Sequence, residues 1–526
     1  MNDGPLTGDT QPAGAHVIWL PTAAEMAELD RRATESGAIP ERALIESAGR
    51  EIAHAVQRGF PTGRVLVLAG SGHNGADALV AARTLIAWGR DVGAVRCGSS
   101  LPEPDVLGGW GLQLQEADLL ETRLAEAGVV LDGVLGTGVR GAVREPAASI
   151  IRAANAAGRP IVAVDGPSGA DFTTGAVEGE CIRAELTVSL GWPKLGLLRF
   201  PARSYCGELV AVEIGFPPPE SPMGARAITD GWVAKMLVPR PADAHKGRAG
   251  YLAIVAGQKG MAGASVLAAR AAIRGGVGIV RVVGDPANRE IVQKSVPEAI
   301  FVSWEDQAAV ADAVSWAHAV ALGPGLGGEA GRRELVASIL RRACEAGKPA
   351  LVDADGLNAW ADEAAELAGS LPNGSLVTPH PGELSRLLGQ PMATVLEDPM
   401  GAARGAAEIL GCTVLLKGAP SVVAEGDEPL RVATTGDVAL ATGGVGDVLT
   451  GLAGAYLAAG MPASDAAAAA LHVSGHAALM ALEPVGHAAG DLAERLPVAR
   501  ARVEATSPVA YPYRFVLPAA RGSAEP

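Results

Sequence analysis

Leu440-Ala441-Thr442-Gly443-Gly444-Val445-Gly446-Asp447-Val448-Leu449-Thr450-Gly451 carries an extended segment through a run of glycines and into a helix that opens at or near Asp447. A helix start turns free backbone N–H groups and the positive end of its dipole outward, which suits a phosphate. Asp447 is the odd member, because a carboxylate repels an anion unless it has another task. Two tasks are open. Asp447 caps the helix, as Asp commonly does, or it takes the proton from a hydroxyl about to attack that phosphate.

The same pattern occurs upstream. Val65-Leu66-Val67-Leu68-Ala69 reads as a fully buried strand, followed by Gly70-Ser71-Gly72-His73-Asn74-Gly75-Ala76-Asp77 and a helix running to about Trp88. Helical spacing precedes it at 22–30 and 40–57, and further strands read at 92–96, 129–132, 161–165, 186–190 and 209–214. Two of these end in an aspartate and a glycine, at Asp132-Gly133 and Asp165-Gly166. Parallel sheets hold ligands outside the carboxyl ends of their strands, so Asn74, Asp77, Asp132, Asp165 and Ser168 are candidates to converge there. Oxygen donors of this kind suit a hard cation or a sugar hydroxyl. Taken singly, each Asp also reads as a turn or helix cap.

Phe216-Pro217-Pro218-Pro219-Glu220-Ser221-Pro222 reads as a stiff linker, and a second α/β unit follows. A strand at 251–257 leads through a glycine-containing loop at 258–263 into a helix at 264–274, with the positive His245-Lys246-Gly247 just before it. Apolar strands then end in polar, flexible loops at Gly323-Pro324-Gly325-Leu326-Gly327, Asp353-Ala354-Asp355, Thr378-Pro379-His380-Pro381-Gly382-Glu383 and Lys417-Gly418-Ala419-Pro420-Ser421, as an open α/β site requires. His380, between two prolines, reads as a residue held rigidly in a site. No cysteine or histidine spacing suggests zinc.

With 526 residues the chain exceeds one ordinary core; length alone suggests about three domains, and two large α/β units serve equally. Aromatics are only 4% against 48% hydrophobic residues, so the cores must be built from small and branched aliphatic side chains. A net charge of −15 disfavours nucleic acid or an anionic membrane as partner. The five cysteines are scattered without a Cys-x-x-Cys pair, which fits reduced thiols in a cytoplasmic protein. Residues 1–16 lack the basic and apolar regions of a signal peptide and read as a loose tail. The apolar run at 463–482 carries Asp465, His472 and His476, which fits a packed core helix better than a membrane span.

Taken in order, the second-unit motifs from His245-Lys246-Gly247 to Asp447, with Gly260-Met261-Ala262-Gly263-Ala264 among them, resemble the bifunctional NAD(P)H-hydrate repair family, an epimerase fused to an ADP-dependent dehydratase. The resemblance covers about residues 21–500. It implies two three-layer α/β domains: a Rossmann-like epimerase at 17–215 and a ribokinase-like dehydratase at 228–505, joined by the linker at 216–227 and followed by a C-terminal tail at 506–526. In that family NADH and NADPH that have acquired water are repaired. The epimerase interconverts the R and S hydrates, and the dehydratase spends ADP on the S form, releasing AMP and phosphate.

The resemblance also implies site residues. Asp447 would deprotonate the 6-hydroxyl; Ala264, Gly325 and His380 would contact the hydrated cofactor; Lys417, Gly418, Ala419, Pro420, Ser421 and Gly446 would hold the nucleotide, with Mg2+. In the first half Asn74, Asp132 and Ser168 would hold K+. His73, Asn74, Gly75, Ala76, Asp77, Gly136, Thr137, Gly138, Val139, Arg140, Gly141, Ala142 and Asp165 would contact substrate, with Asp165 as the acid-base residue. A homo-oligomer is implied as well. This chain departs from the family pattern at His73 and Ala76, where Asn and Gly are usual, at Gly166, where an aliphatic residue is usual, and at Val445, usually Thr. Ala76 is expected to add a methyl near the ligand and Gly166 to loosen the Asp165 loop, giving a working but weakened epimerase. Two other readings compete: a ribokinase-like small-molecule kinase, which would use ATP and release ADP, and a dehydratase whose N-terminal half is a non-catalytic binding module.

Overall fold

The computed structural model describes residues 17–521 apart from 36–38, 99, 101–105, 238–246, 248, 330, 484, 507–508 and 510–512. His245 and Lys246 therefore lie outside the described residues, as does the expected tail at 1–16. The chain folds into two compact units, Met1–Ala227 with Pro508–Pro526, and Ile228–Ser507.

The first unit is built on an eight-stranded sheet in the order Tyr513–Leu517, Glu208–Val212, Leu186–Leu190, Ile161–Val164, Val129–Gly133, Val65–Ala69, Val92–Arg96, Leu114–Gln115. All pairs are parallel except the first. Val65–Ala69 is buried at every position because its two faces serve two cores. Val65, Val67 and Ala69 pack with Leu44, Ile52, Leu79 and Leu85 on one side, and Leu66 and Leu68 pack with Leu124, Ile150 and Ile151 on the other. Helices thus cover both faces of the sheet. From Val65–Ala69 the chain winds outward to Val92–Arg96 and Leu114–Gln115, then returns to start Val129–Gly133 on the opposite side, so the winding direction reverses between Val65–Ala69 and Val129–Gly133.

The second unit has a ten-stranded sheet in the order Ile300–Ser303, Ile279–Gly284, Tyr251–Val255, Ala319–Leu322, Ala350–Val352, Leu376–Val377, Thr413–Leu416, Val422–Ala424, Leu430–Ala433, Ala225–Ile228. Its first seven strands are parallel. One face, with Leu252, Ile254, Ala319 and Ala321, packs on the Ala-rich helices Ala262–Arg274, Val445–Ala458, Ala463–Leu479 and Ala489–Glu504. The other face, with Ala253, Val255, Val320 and Leu322, is equally buried, under helices such as Gln307–Trp316 and Pro399–Leu410. Here the winding reverses between Tyr251–Val255 and Ala319–Leu322.

Two segments differ from expectation. The stretch expected as a C-terminal tail contains Tyr513–Leu517, which pairs antiparallel with Glu208–Val212 at the sheet edge and buries Phe515. The expected linker is also held. Phe216 and Met223 are buried, Phe216 stacks on Trp192 at 6.0 Å, and Ala225–Ile228 is a strand. The helix Ala463–Leu479 is a core helix, and no helix among the described residues is long and apolar enough to cross a membrane.

Candidate functional sites

Both winding reversals place glycine loops at the carboxyl ends of neighbouring strands, where α/β sheets bind ligands. In the first unit these loops surround a cavity of about 520 Å³ lined by Asp30, Glu41, His73, Asn74, Asp77, Gly136, Thr137, Gly138, Asp165 and Lys194, among others. Asp132 and Ser168 do not line this cavity; they lie fully buried behind Val134 and Leu135, which do. Asp132 Oδ1 accepts from the Ser168 hydroxyl at 2.7 Å and from Val134 N at 3.2 Å, and its Oδ2 from Ser168 N at 2.9 Å. Asn74 Nδ2 donates to Leu135 O at 2.8 Å, which frees its Oδ1. Burial pushes the Asp132 carboxyl up to about 6, and the hydrogen bonds from Ser168 and Val134 only partly reverse this. Asn74, Asp132 and Ser168 therefore cluster, and they offer oxygen donors around a buried carboxylate that has no cationic side chain at hydrogen-bond distance among the described residues. That donor set fits a hard cation.

Asp165 follows Ile161–Val164 with a φ of 65°, a left-handed conformation unusual for a residue with a side chain. It is fixed by its N–H to Val188 O at 2.8 Å and by Leu190 N donating to its Oδ1 at 2.9 Å. The same oxygen is ion-paired with Lys194, whose side chain is 1% exposed and whose Nζ also donates to Leu190 O at 2.9 Å. Sequence reading passed over Lys194, although it follows a strand end as the aspartates do. Asp77, on the helix His73–Ala87, faces the same cavity. Burial, then the charges of Asp165 and Asp30, hold its carboxyl well above the ordinary range.

Several expectations for this unit change. Ala76 is fully buried in the hydrophobic core and does not line the cavity, because the helix turns its methyl inward. Gly75, Val139, Arg140, Gly141 and Ala142 do not line it either. Arg140 instead lies 3.6 Å from Asp171. Gly166 does not loosen the Asp165 loop: a Cβ there would lie 2.3 Å from Phe172 Cζ, so the Phe172 ring fills the space an aliphatic side chain would take. His73 pairs with Glu41 at 2.9 Å at the cavity rim.

In the second unit the loops after Tyr251–Val255 and Ala319–Leu322 are stitched by Gly257 N to Pro324 O at 2.9 Å and Gln258 N to Gly325 O at 2.7 Å. A Cβ at Gly325 would lie 2.9 Å from Ala264 Cβ, so these two expected substrate residues touch. Asp355 Oδ2 accepts from Gly327 N at 2.7 Å. His380 is the cap of the helix Pro381–Leu388: its Nδ1 accepts from Gly382 N at 3.0 Å and Glu383 N at 3.3 Å, and its Nε2 lies 3.4 Å from the Glu383 carboxylate, with the side chain half exposed. Gln258 Oε1 and Thr378 Oγ1 on these loops, and Ser265 Oγ on the helix Ala262–Arg274, are buried without a hydrogen-bond partner among the described residues, a condition a polar ligand relieves.

The helix of the quoted stretch begins at Val445, and its cap is Gly444 with a φ of 90°. Asp447 is thus the third helical residue, in the first turn, and makes no capping hydrogen bond among the described residues. Beside it Lys417 Nζ donates to Asp353 at 2.7 Å, the other Asp353 oxygen accepts from Thr450 Oγ1 at 2.6 Å, and Glu383 lies 3.7 Å from Lys417. A Cβ on Gly446 would lie 3.7 Å from Lys417 Nζ. Burial lowers the Lys417 pKa, but Asp353 and Glu383 more than offset it and hold the ammonium form. Asp447 itself has no such partner among the described residues. Burial pushes its carboxyl up to about 6, with Asp353 and Asp355 adding to the rise and Lys417 opposing it. Ala419, Pro420 and Ser421 lie in the loop that follows, where Gly418 N donates to Ser421 Oγ at 3.1 Å.

Residues 252–497 match the family model described as NAD(P)H-hydrate dehydratase, and residues 41–196 match that of the YjeF-related protein N-terminus. The chain is 38% identical over 501 residues to the bifunctional NAD(P)H-hydrate repair enzyme of Pyrobaculum aerophilum, covering 90% of this chain and 97% of that one. To the enzyme of the same name from Moorella thermoacetica it is 36% identical over 519 residues, covering 91% and 96%. A crystal structure of the ADP/ATP-dependent NAD(P)H-hydrate dehydratase from Bacillus subtilis, co-crystallised with ATP and Mg2+, is 28% identical with a TM-score of 0.47, covering 52% of this chain and 98% of that one.

Proposed function

The chain belongs to the family of bifunctional NAD(P)H-hydrate repair enzymes, and from that premise we propose how its two sites divide the repair. The enzyme interconverts the R and S forms of hydrated NADH and NADPH and dehydrates the S form at the expense of ADP, giving NAD(P)H, AMP and phosphate.

Dehydration falls to the second unit, and the observation that carries this assignment is the unpaired Asp447 beside the Lys417–Asp353 pair. A carboxylate titrating near 6 is deprotonated at neutral pH yet basic enough to accept a proton in the transition state. Asp447 takes the proton of the 6-hydroxyl as that oxygen attacks the terminal phosphorus of ADP, and the bond to AMP breaks. The hydroxyl, a poor leaving group, has become a phosphate ester. The ring nitrogen expels it as phosphate, and loss of the neighbouring proton restores the double bond. Backbone N–H groups at Gly443 to Gly446 and the Lys417 ammonium receive the phosphates, while Gly418 to Ser421 border the nucleotide. Asp355 offers a carboxylate of the kind Mg2+ takes, and Mg2+, when bound, would neutralise phosphate charge. Ala264, Gly325 and the outer edge of His380 border the hydrated ring.

Epimerisation falls to the first-unit cavity. Asp165, fixed by Lys194, acts as proton acceptor, and Asp77, whose carboxyl is held above its ordinary range by burial and by its acidic neighbours, is the second acid-base group on the same cavity. Asn74, Asp132 and Ser168 would hold K+, which when bound would balance the charge of the buried Asp132.

The test is to incubate the full chain with chemically hydrated NADH containing both epimers, with ADP and Mg2+, and to follow the reduced-nicotinamide absorbance. Full recovery faster than spontaneous epimerisation is expected. Recovery that stalls when the S form is consumed would reduce the first unit to a binding module; no ADP-dependent recovery would favour the kinase reading.

A further inference from the structure

A second cluster of metal-binding side chains lies apart from the catalytic loops. Among the described residues Asp230, His472 and His476 are the group of three such side chains whose ligand atoms converge. His472 and His476 stand four residues apart on the helix Ala463–Leu479, so they share one face. Asp230 opens the helix Asp230–Met236. Its Oδ1 lies 2.5 Å from His472 Nε2 and 2.7 Å from His476 Nε2, and its Oδ2 accepts from Thr506 Oγ1 at 3.0 Å. His472 is 1% exposed, whereas Asp230 and His476 reach solvent at 27% and 22%.

Thr435 Oγ1 lies 3.4 Å from both the His472 carbonyl oxygen and His472 Nδ1. Without an ion a neutral His472 donates its Nε2–H to Asp230; a cation bound between them takes the Nε2 lone pair, the ring proton then sits on Nδ1, and the Thr435 hydroxyl oxygen is placed to accept it. A second-sphere hydrogen bond on the far ring nitrogen is also how metal-bound histidines are oriented.

We propose that Asp230, His472 and His476 bind one divalent transition-metal ion of the Zn2+ class, with solvent or Thr506 completing the sphere. Two neutral imidazoles and one carboxylate are a ligand set that Zn2+ accepts. Ligand atoms about 2.0–2.2 Å from a tetrahedral ion stand roughly 3.3 Å apart, so the two Asp230 contacts must open by under about 1 Å, while the two histidine nitrogens, within 4.8 Å of each other, draw together. Asp230 lies near the start of its unit and Thr506 near its end. The ion would therefore fasten both ends of the unit to a core helix, and its role is structural. Sequence reading found no zinc spacing because the carboxylate stands 242 residues from its first histidine.

The test uses the full chain, purified without a histidine tag, stripped with chelator and kept in Mg2+. One saturable Zn2+ per chain is expected by equilibrium dialysis, Co2+ should give the visible bands of a four-coordinate N/O site, and Zn2+ at about 100 times its Kd should raise the thermal midpoint by roughly 5 °C. His476→Gln, at the more exposed ligand, should weaken Zn2+ binding roughly 100-fold or more, and Asp230→Asn gives a second, independent reading. No saturable equivalent in the unaltered chain, or unchanged affinity in both variants, would overturn the proposal and leave a His–Asp–His hydrogen-bonded clasp.

Discussion

The two sites solve the same electrostatic problem in opposite ways. In the first unit the lysine goes to the candidate catalytic residue itself: Lys194 is ion-paired with Asp165, and the unpartnered buried carboxyl is Asp77. In the second unit the lysine goes to a neighbour: Lys417 is paired with Asp353, and Asp447 is left without a partner among the described residues and pushed up to about 6. The difference teaches that carboxylate and lysine count does not assign an acid or base; the pairing does. A paired carboxylate is held charged and in place, while an unpaired one is made more basic.

The largest effect should come from removing the unpaired base. Asp447→Asn is expected to lower dehydratase kcat by about 10²–10⁴-fold with ADP affinity largely retained, read by steady-state kinetics and by calorimetric titration of ADP. Near-normal turnover would return Asp447 to a structural role. In the other unit, Lys194→Met should strand a buried carboxylate and cost about 3–5 kcal/mol in urea unfolding, with loss of epimerase activity. Stability within about 1 kcal/mol of the parent would mean that the pair is not desolvated and that the contrast between the sites fails.

A smaller effect is expected in the pH profile. Asp447 must be deprotonated to act, so kcat at saturating ADP should rise with pH through about 6. Because Lys417 opposes the upward shift, Lys417→Met should move that limb to higher pH; movement to lower pH would contradict the proposed electrostatics. The smallest effect concerns the family departure at Ala76. Its methyl packs in the core, so Ala76→Gly should cost about 0.5–1 kcal/mol in stability without raising the epimerase rate. A faster epimerase would show that the methyl does obstruct substrate.

The sequence by itself determined the two α/β units, the strands that carry the sites and the loops at their ends, because these are local properties. An unbroken apolar run such as Val65-Leu66-Val67-Leu68-Ala69 can be buried only between two cores, and a glycine turn before a helix is recognisable wherever it occurs. Short edge strands such as Tyr513–Leu517 gave too little periodicity to read. Even within the quoted stretch the glycines divide: Gly444 makes the turn, whereas Gly451 lets its helix approach the next one, since a Cβ there would lie 2.1 Å from Ala268 O. Only the tertiary structure decided which groups meet. Lys194 stands 29 residues from Asp165, Lys417 64 from Asp353, and His472 242 from Asp230. Phe172 takes the space beside Gly166, and a helix's rotation sends Ala76 into the core. Pairing, burial and the proton affinities they set depend on distances in space, and spacing along the chain does not encode those directly.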